Sequence, residues 1–177
     1  MAGTRICSIV GLKNAGKTTL TVALSAEFAR RQRRVMTIKH ATHAAQMDTP
    51  GTDSYRHFHE GKAERVVLAC PDQRYILEQS KDDLDPIAIA RRYLDGADIV
   101  LVEGFKAAPL PKVEIWRKEV GGTPLVCQPG ADTDRWLALI TDDKSLPTPC
   151  RTLYTQDTMW MNILVGLVWD GAKVIST

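Results

Sequence analysis

Apolar residues recur along the chain with two different periods, and the switches between them lay out its elements. Ile6 and Ser8-Ile9-Val10 make a short buried-strand run closed by Gly11. From Thr18 the period lengthens. Leu20, Leu24 and Phe28 fall at i, i+4 and i+8, with Ala23, Ala26 and Ala29 around them, which predicts an amphipathic helix. The basic run Arg30-Arg31-Gln32-Arg33-Arg34 closes that helix, where cations suit the negative end of the helix dipole. One helix end is a small footprint for nucleic acid, so the structural reading is preferred. Val35-Met36-Thr37-Ile38 returns to strand character and completes a β-α-β unit.

Residues 40–53 lack a steady period and contain Pro50-Gly51, which predicts a long loop of the kind that is usually functional. Ser54 to Glu60 reads as a short helix capped by Asp53 or Ser54 and stopped by Gly61. Arg65–Ala69 and Arg74–Glu78 are strand-like runs around Pro71-Asp72-Gln73, a hairpin composition. Pro86 opens a helix through Tyr93, and Asp98-Ile-Val-Leu-Val-Glu103 is a continuous apolar strand of the type found inside parallel sheets. Lys112–Trp116 reads as an alternating strand, with further strands at Leu125–Cys127 and Trp136–Ile140. Met159 to Trp169, interrupted by Asn162, is a packed helix, well short of the roughly 20 residues a membrane span needs.

Composition narrows the class without naming a function. The chain has 177 residues, 44% hydrophobic and 25% charged, which is ordinary globular usage and suits one α/β domain over residues 1–177. A net charge of +2 provides no bulk field for nucleic acid or an acidic membrane. Cys7, Cys70, Cys127 and Cys150 contain no C-x-x-C pair, so buried free thiols are expected in place of a zinc knuckle or disulfide framework. The first residues carry no signal-peptide pattern, and the expected location is the cytoplasm.

The chemistry concentrates at Gly11-Leu-Lys-Asn-Ala-Gly16-Lys17-Thr18, which matches G-x-x-x-x-G-K-[ST] between a predicted strand and a predicted helix. Gly11, Asn14, Ala15, Gly16, Lys17, Thr18 and Thr19 are the expected phosphate-binding residues. Glycines let successive N–H groups wrap a phosphate at the positive end of the following helix. Lys17 would reach the β- and γ-phosphates and the Thr18 hydroxyl a Mg²⁺ ion, while Thr19 caps the helix or touches the α-phosphate. In a parallel sheet ligands lie at the carboxyl ends of strands, so Glu103 and not Asp98 is the candidate for holding a Mg²⁺-bound or attacking water. Gly104 after it allows close backbone approach. Lys17 and Glu103 are the catalytic candidates. Asp48 is a further metal candidate and, with Asp53, either senses a γ-phosphate through Mg²⁺ or caps a turn. His40 and His43 read as solvated or substrate-facing and not as zinc ligands, and His57 and His59, at i and i+2 on a helix, point apart.

Gly11 through Thr19, Ile38-Lys39-His40 with His43, Asp48-Thr-Pro-Gly-Thr-Asp53-Ser54, Asp98 through Lys106 and Pro111-Lys112 together resemble the molybdopterin-guanine dinucleotide biosynthesis protein B (MobB) family, in order from about residue 5 to 118. The resemblance implies a P-loop NTPase-like three-layer fold, with a mostly parallel sheet, helices on both faces and additional antiparallel strands. It implies binding of GTP with Mg²⁺, slow GTP hydrolysis at most, and a homodimer with exchanged strands. The implied partners are a MobA-type nucleotidyltransferase, which joins GMP to molybdopterin, and molybdopterin or its molybdenum form. Lys39, His40, Asp48 and Asp53 fall at family-typical loop positions. No N/T-K-x-D guanine motif is present, and Asp142 in Thr141-Asp142-Asp143 is the nearest equivalent, the alternative being an ordinary acidic turn. A small-molecule kinase and a nucleotide-gated adaptor without turnover are the competing readings of the same loop.

Overall fold

The computed structural model describes residues 3–41, 48–80 and 85–176. The chain divides into two compact units, Met1–His40 with Asp85–Thr177, and Ala41–Leu84.

The larger unit is built on a seven-stranded sheet. Its strands are β1 (Thr4–Val10), β2 (Val35–Lys39), β5 (Ile99–Glu103), β6 (Lys112–Trp116), β7 (Trp136–Thr141), β8 (Thr152–Tyr154) and β9 (Lys173–Ile175). They run in the order β2-β5-β1-β6-β7-β8, all parallel, while β9 pairs antiparallel with the first half of β1. Helices α1 (Lys17–Arg30) and α4 (Trp160–Gly171) cover one face: Leu20, Leu24, Phe28, Leu164 and Val168 pack on Cys7, Ile9, Leu101, Val113 and Ile140. Helix α3 (Pro86–Tyr93) contributes Ala90 to the other face, against Ile6, Ile38, Val100, Val102 and Leu110. Side chains alternate between the two faces along β1 and β5, as a doubly covered parallel strand requires. The three-layer arrangement expected from the sequence is present. No helix among the described residues is long and apolar enough to cross a membrane.

Local sequence explains most boundaries. Asp85 caps α3 by accepting from the Ile87 and Ala88 N–H groups, and Pro86 stands at its first turn. The basic run that ends α1 is used internally: Arg30 and Arg31 pair with Glu27, and the Arg33 guanidinium lies 4.3 Å from the Trp169 ring centroid. Of the four free cysteines only Cys7 is buried, its thiol pushed up to about 12 by burial; Cys70, Cys127 and Cys150 are half-buried, which corrects the expectation of four buried thiols.

Further expectations from the sequence change. Leu125–Cys127 is a 3-10 turn and not a strand, because the Leu125 and Val126 N–H groups donate to the Glu114 carboxylate, at 2.7 and 2.9 Å, and not to a neighbouring strand. Strand β6 does not alternate between core and solvent: all five of its residues are buried, Lys112 and Glu114 included. Strands β8 and β9 were not anticipated.

The smaller unit holds α2 (Asp53–Tyr55), continued by a π-helical turn over Arg56–Glu60, and the antiparallel hairpin β3 (Arg65–Ala69) and β4 (Arg74–Glu78). Thr52, and not Asp53 or Ser54, is the helix cap: its hydroxyl accepts from the Tyr55 N–H. The hairpin leaves Val67, Leu68, Tyr75 and Ile76 exposed on both of its faces.

Glu114 generates a pH prediction. Burial raises its carboxyl above the usual 4.5, against the pull of the Val126 and Leu125 N–H groups. The folded chain then holds the proton more tightly than the unfolded one, so the contribution to stability is largest below the unfolded value and falls as pH rises through the folded value. Glu114→Gln removes that ionisation, so the stability of the variant minus that of the parent should rise with pH from about pH 4.5 upward in urea denaturation. Glu114→Ala, which orphans the buried Val126 N–H and the part-buried Leu125 N–H, should cost about 2–5 kcal/mol.

Candidate functional site

The segment between β1 and α1 turns in a conformation that three residues make possible. Gly11, Asn14 and Gly16 have φ of 151°, 62° and 101°, in the left-handed region that bends successive N–H groups toward one concavity. Gly11 is fixed by packing as well, since a Cβ there would run into the Ile115 carbonyl of β6. Ala15 is buried against the core, and Gly16 caps α1 without a side-chain bond. The α1 N–H groups are thus not closed off by a side-chain cap, and Thr19 is an exposed first-turn residue that does not cap the helix. Lys17 curls back over the loop and donates to the Leu12 carbonyl at 2.7 Å.

The carboxyl ends of β1, β5 and β2 place the remaining groups beside this loop. Ile9 and Lys39 both stand opposite Glu103 in the sheet register. Glu103 Oε1 accepts from the Thr18 hydroxyl at 2.8 Å and meets the Lys39 ammonium at 3.2 Å, and Lys39 Nζ also lies 3.4 Å from Thr18 Oγ1. Glu103 is buried, its side chain only 11% exposed, so its charge is directed at these two groups. The chain then turns at Gly104, φ 95°, whose N–H donates to the Ile9 carbonyl. A Cβ on Gly104 would stand 3.0 Å from His40 Cβ, and the His40 and Phe105 rings stack at 4.5 Å.

The structure therefore brings Gly11, Asn14, Ala15, Gly16, Lys17, Thr18, Thr19 and Glu103 to one edge and adds Lys39, for which residue types alone gave no role. The signal was there in its position, one residue after the apolar run of β2. Asp98 lies at the opposite end of β5, where it accepts from the Arg34 N–H. Asp142 follows β7 at the carboxyl edge, and its Oδ1 accepts from the Lys118 N–H at 2.9 Å. Asp48 belongs to the smaller unit, where its Oδ1 accepts from the Thr49 N–H and from the Thr52 and Ser54 hydroxyls, while Oδ2 is buried with no partner among the described residues. Asp53 is the first residue of α2, and His59 packs its ring on Tyr55. His43 lies outside the described residues.

A glycine-bent loop between a central parallel strand and a helix, with an acid closing the adjacent strand, defines a P-loop NTPase-like fold. Two solved structures share it: Bacillus subtilis MobB, with a TM-score of 0.66 and 23% identity over 96% of this chain and 98% of that one, and the MobB homologue of Bacillus stearothermophilus, with a TM-score of 0.64 and 20% identity over 92% and 97%. The profile of the family "Molybdopterin guanine dinucleotide synthesis protein B" matches residues 6–142, and the chain belongs to this MobB family. The molybdopterin-guanine dinucleotide biosynthesis adapter protein of Haemophilus influenzae is 35% identical over 116 residues, 65% of this chain and 65% of that protein. Its Escherichia coli counterpart is 34% identical over 113 residues, 62% and 63% respectively. The chain thus spans slightly less than two thirds of these relatives.

The loop geometry can be tested through two glycines. Gly11→Ala meets both an unfavourable φ and the Ile115 carbonyl, whereas Gly121→Ala, at φ 67° with open space around it, meets only the first. We expect about 1 kcal/mol of destabilisation for Gly121→Ala and about 3 kcal/mol or more for Gly11→Ala in urea denaturation. Equal losses would remove the steric role assigned to Gly11.

Proposed function

We propose that this chain is a GTP-binding adapter of molybdopterin-guanine dinucleotide biosynthesis that hydrolyses GTP slowly at most. The observation that carries the reading is the 2.8 Å bond between Thr18 Oγ1 and Glu103 Oε1 beside the glycine-bent loop. A P-loop hydroxyl and a strand-end carboxylate in contact are a hard-oxygen donor pair that fits Mg²⁺ on a nucleotide phosphate. The adapter role rests on the Haemophilus influenzae and Escherichia coli relatives, both adapter proteins of this biosynthesis, and GTP over ATP rests on family membership.

In this reading the loop amides and Lys17 would bind the phosphates, and Thr18 and Glu103 would hold a magnesium ion, which would supply charge neutralisation at the γ-phosphate. Lys39 holds Glu103 in place through its ion pair with Oε1. Asp142 is the candidate reader of guanine, and Asp48, whose Oδ2 is buried with no partner among the described residues, is a metal candidate within the smaller unit. The homodimer is favoured by the hairpin of β3 and β4, which exposes apolar side chains on both faces and is too small to be stable alone. The expected partners are a MobA-type nucleotidyltransferase and molybdopterin or its molybdenum form.

The test separates binding from turnover. Lys17→Ala should weaken GTP binding about 100-fold or more with an unchanged circular dichroism spectrum, and unchanged GTP affinity would overturn the site assignment. Glu103→Gln should retain binding and lose the slow hydrolysis; an unaltered, negligible rate would instead favour an adapter without turnover. Preference for ATP in the same titration would remove the guanine reading.

A further inference from the structure

We propose a second ligand site in the larger unit, on the sheet face away from α1 and α4, that takes a phosphomonoester attached to a flat ring. It is a cavity of 420 Å³ walled by the segment after β5, the first residues of β6 and β7, and the chain between Leu125 and Arg135. That volume lies in the range of small-molecule sites. Lys112 opens β6 level with Ser8 and Val102 but on the opposite face of the sheet from Val113, Ile9 and Ala15, which pack on the α1 side with the phosphate loop, so the sheet lies between the two sites.

The charge of the cavity points to its ligand. Among the described residues, Lys106, Lys112 and Arg135 line it against a single carboxylate, Asp132, which pairs with Arg135 Nε at 2.7 Å. The excess of two positive charges suits a phosphate dianion. Lys112 is the anchor: it is 6% exposed, and its Nζ donates to the Ala108 and Leu110 carbonyls at 2.7 and 3.0 Å. Those bonds use two of the three ammonium protons and fix the nitrogen in place, leaving one proton for an anion. Burial, with Arg135 beside it, pulls this ammonium below its usual 10.5, as expected of a cation held without its own carboxylate. Lys106 has no hydrogen-bond or ion-pair partner among the described residues, and a bound anion would provide one.

The other walls are apolar. Ala107, Leu125, Pro129 and the half-buried Trp136 offer flat surface next to the cations, which suits a ring bearing a phosphate better than a free inorganic ion. A polyphosphate chain or nucleic-acid backbone would not use that apolar wall.

Calorimetric titration of the full chain carrying Lys17→Ala, which disables the phosphate loop, reads this site alone. The probes are flavin mononucleotide, riboflavin and inorganic phosphate. Flavin mononucleotide should bind saturably at one per chain, with riboflavin and inorganic phosphate each about tenfold weaker or more. Lys106→Ala with Arg135→Ala should weaken flavin mononucleotide about tenfold or more at an unchanged melting temperature, and should leave GTP binding in the Lys17 parent unaltered. The proposal is overturned by no saturable binding, by equal affinity for riboflavin and flavin mononucleotide, by phosphate binding as tightly as the flavin phosphate, or by no effect of the double substitution. Loss of GTP binding in the Lys17→Ala chain alone bears on the phosphate loop and leaves this site standing.

Discussion

At Gly11 the chain leaves β1 in van der Waals contact with the Ile115 carbonyl of β6, a passage no side chain can share. Strand β1 has β5 along one side and β6 along the upper half of the other. Any residue larger than glycine there would force β1 and β6 apart or redirect the chain away from α1. The position of Lys17 at the first turn of α1 follows from that single turn, and so does the reach of Thr18 to the end of β5. The glycine-bent loop is in this sense a consequence of how tightly two parallel strands pack at their carboxyl ends.

The same edge creates an electrostatic problem and answers it. Glu103 is a buried carboxylate, and a buried charge is costly unless paired and hydrogen-bonded. Register supplies the cation, because the residue opposite Glu103 on β2 is Lys39. Sequence supplies the donor, because the P-loop threonine falls within reach on the first turn of α1. The ammonium and the hydroxyl thus converge on one carboxylate oxygen, Glu103 Oε1.

Much of this was legible in the residues. The switch of apolar period at Thr18, the proline that opens α3 and the turn between β3 and β4 each mark a boundary with its own physical cause, and the structure has them within one or two residues. Glu103 was distinguishable from Asp98 because strand polarity in a parallel sheet decides which end meets a ligand. What was not legible depends on partners distant in sequence. Leu125–Cys127 has strand composition, and only the Glu114 carboxylate, eleven residues away at the nearer bond, diverts its N–H groups. Strands β8 and β9 are three residues each, too short for a period to show. Lys39 stood in the family-like Ile38-Lys39-His40 segment without an assigned role, and its pairing with Glu103 emerges from register.

Strand β6 explains why its polar residues misled. Alternating Lys112, Glu114 and Trp116 with Val113 and Ile115 is the pattern of a half-exposed strand, yet all five are buried. The reason lies in what covers the face. Over β2 and β5 it is α3, whose backbone bonds are internal, and the side chains beneath it are apolar. Over β6 it is irregular chain, which brings peptide groups that need partners inside the protein. The two charges divide that work by chemistry: Glu114, an acceptor, takes the Leu125 and Val126 N–H groups, and Lys112, a donor, takes the Ala108 and Leu110 carbonyls. A charged pattern on a central strand thus signals loops overhead as readily as solvent, and the cavity beside Lys112 lies where that loop cover is incomplete.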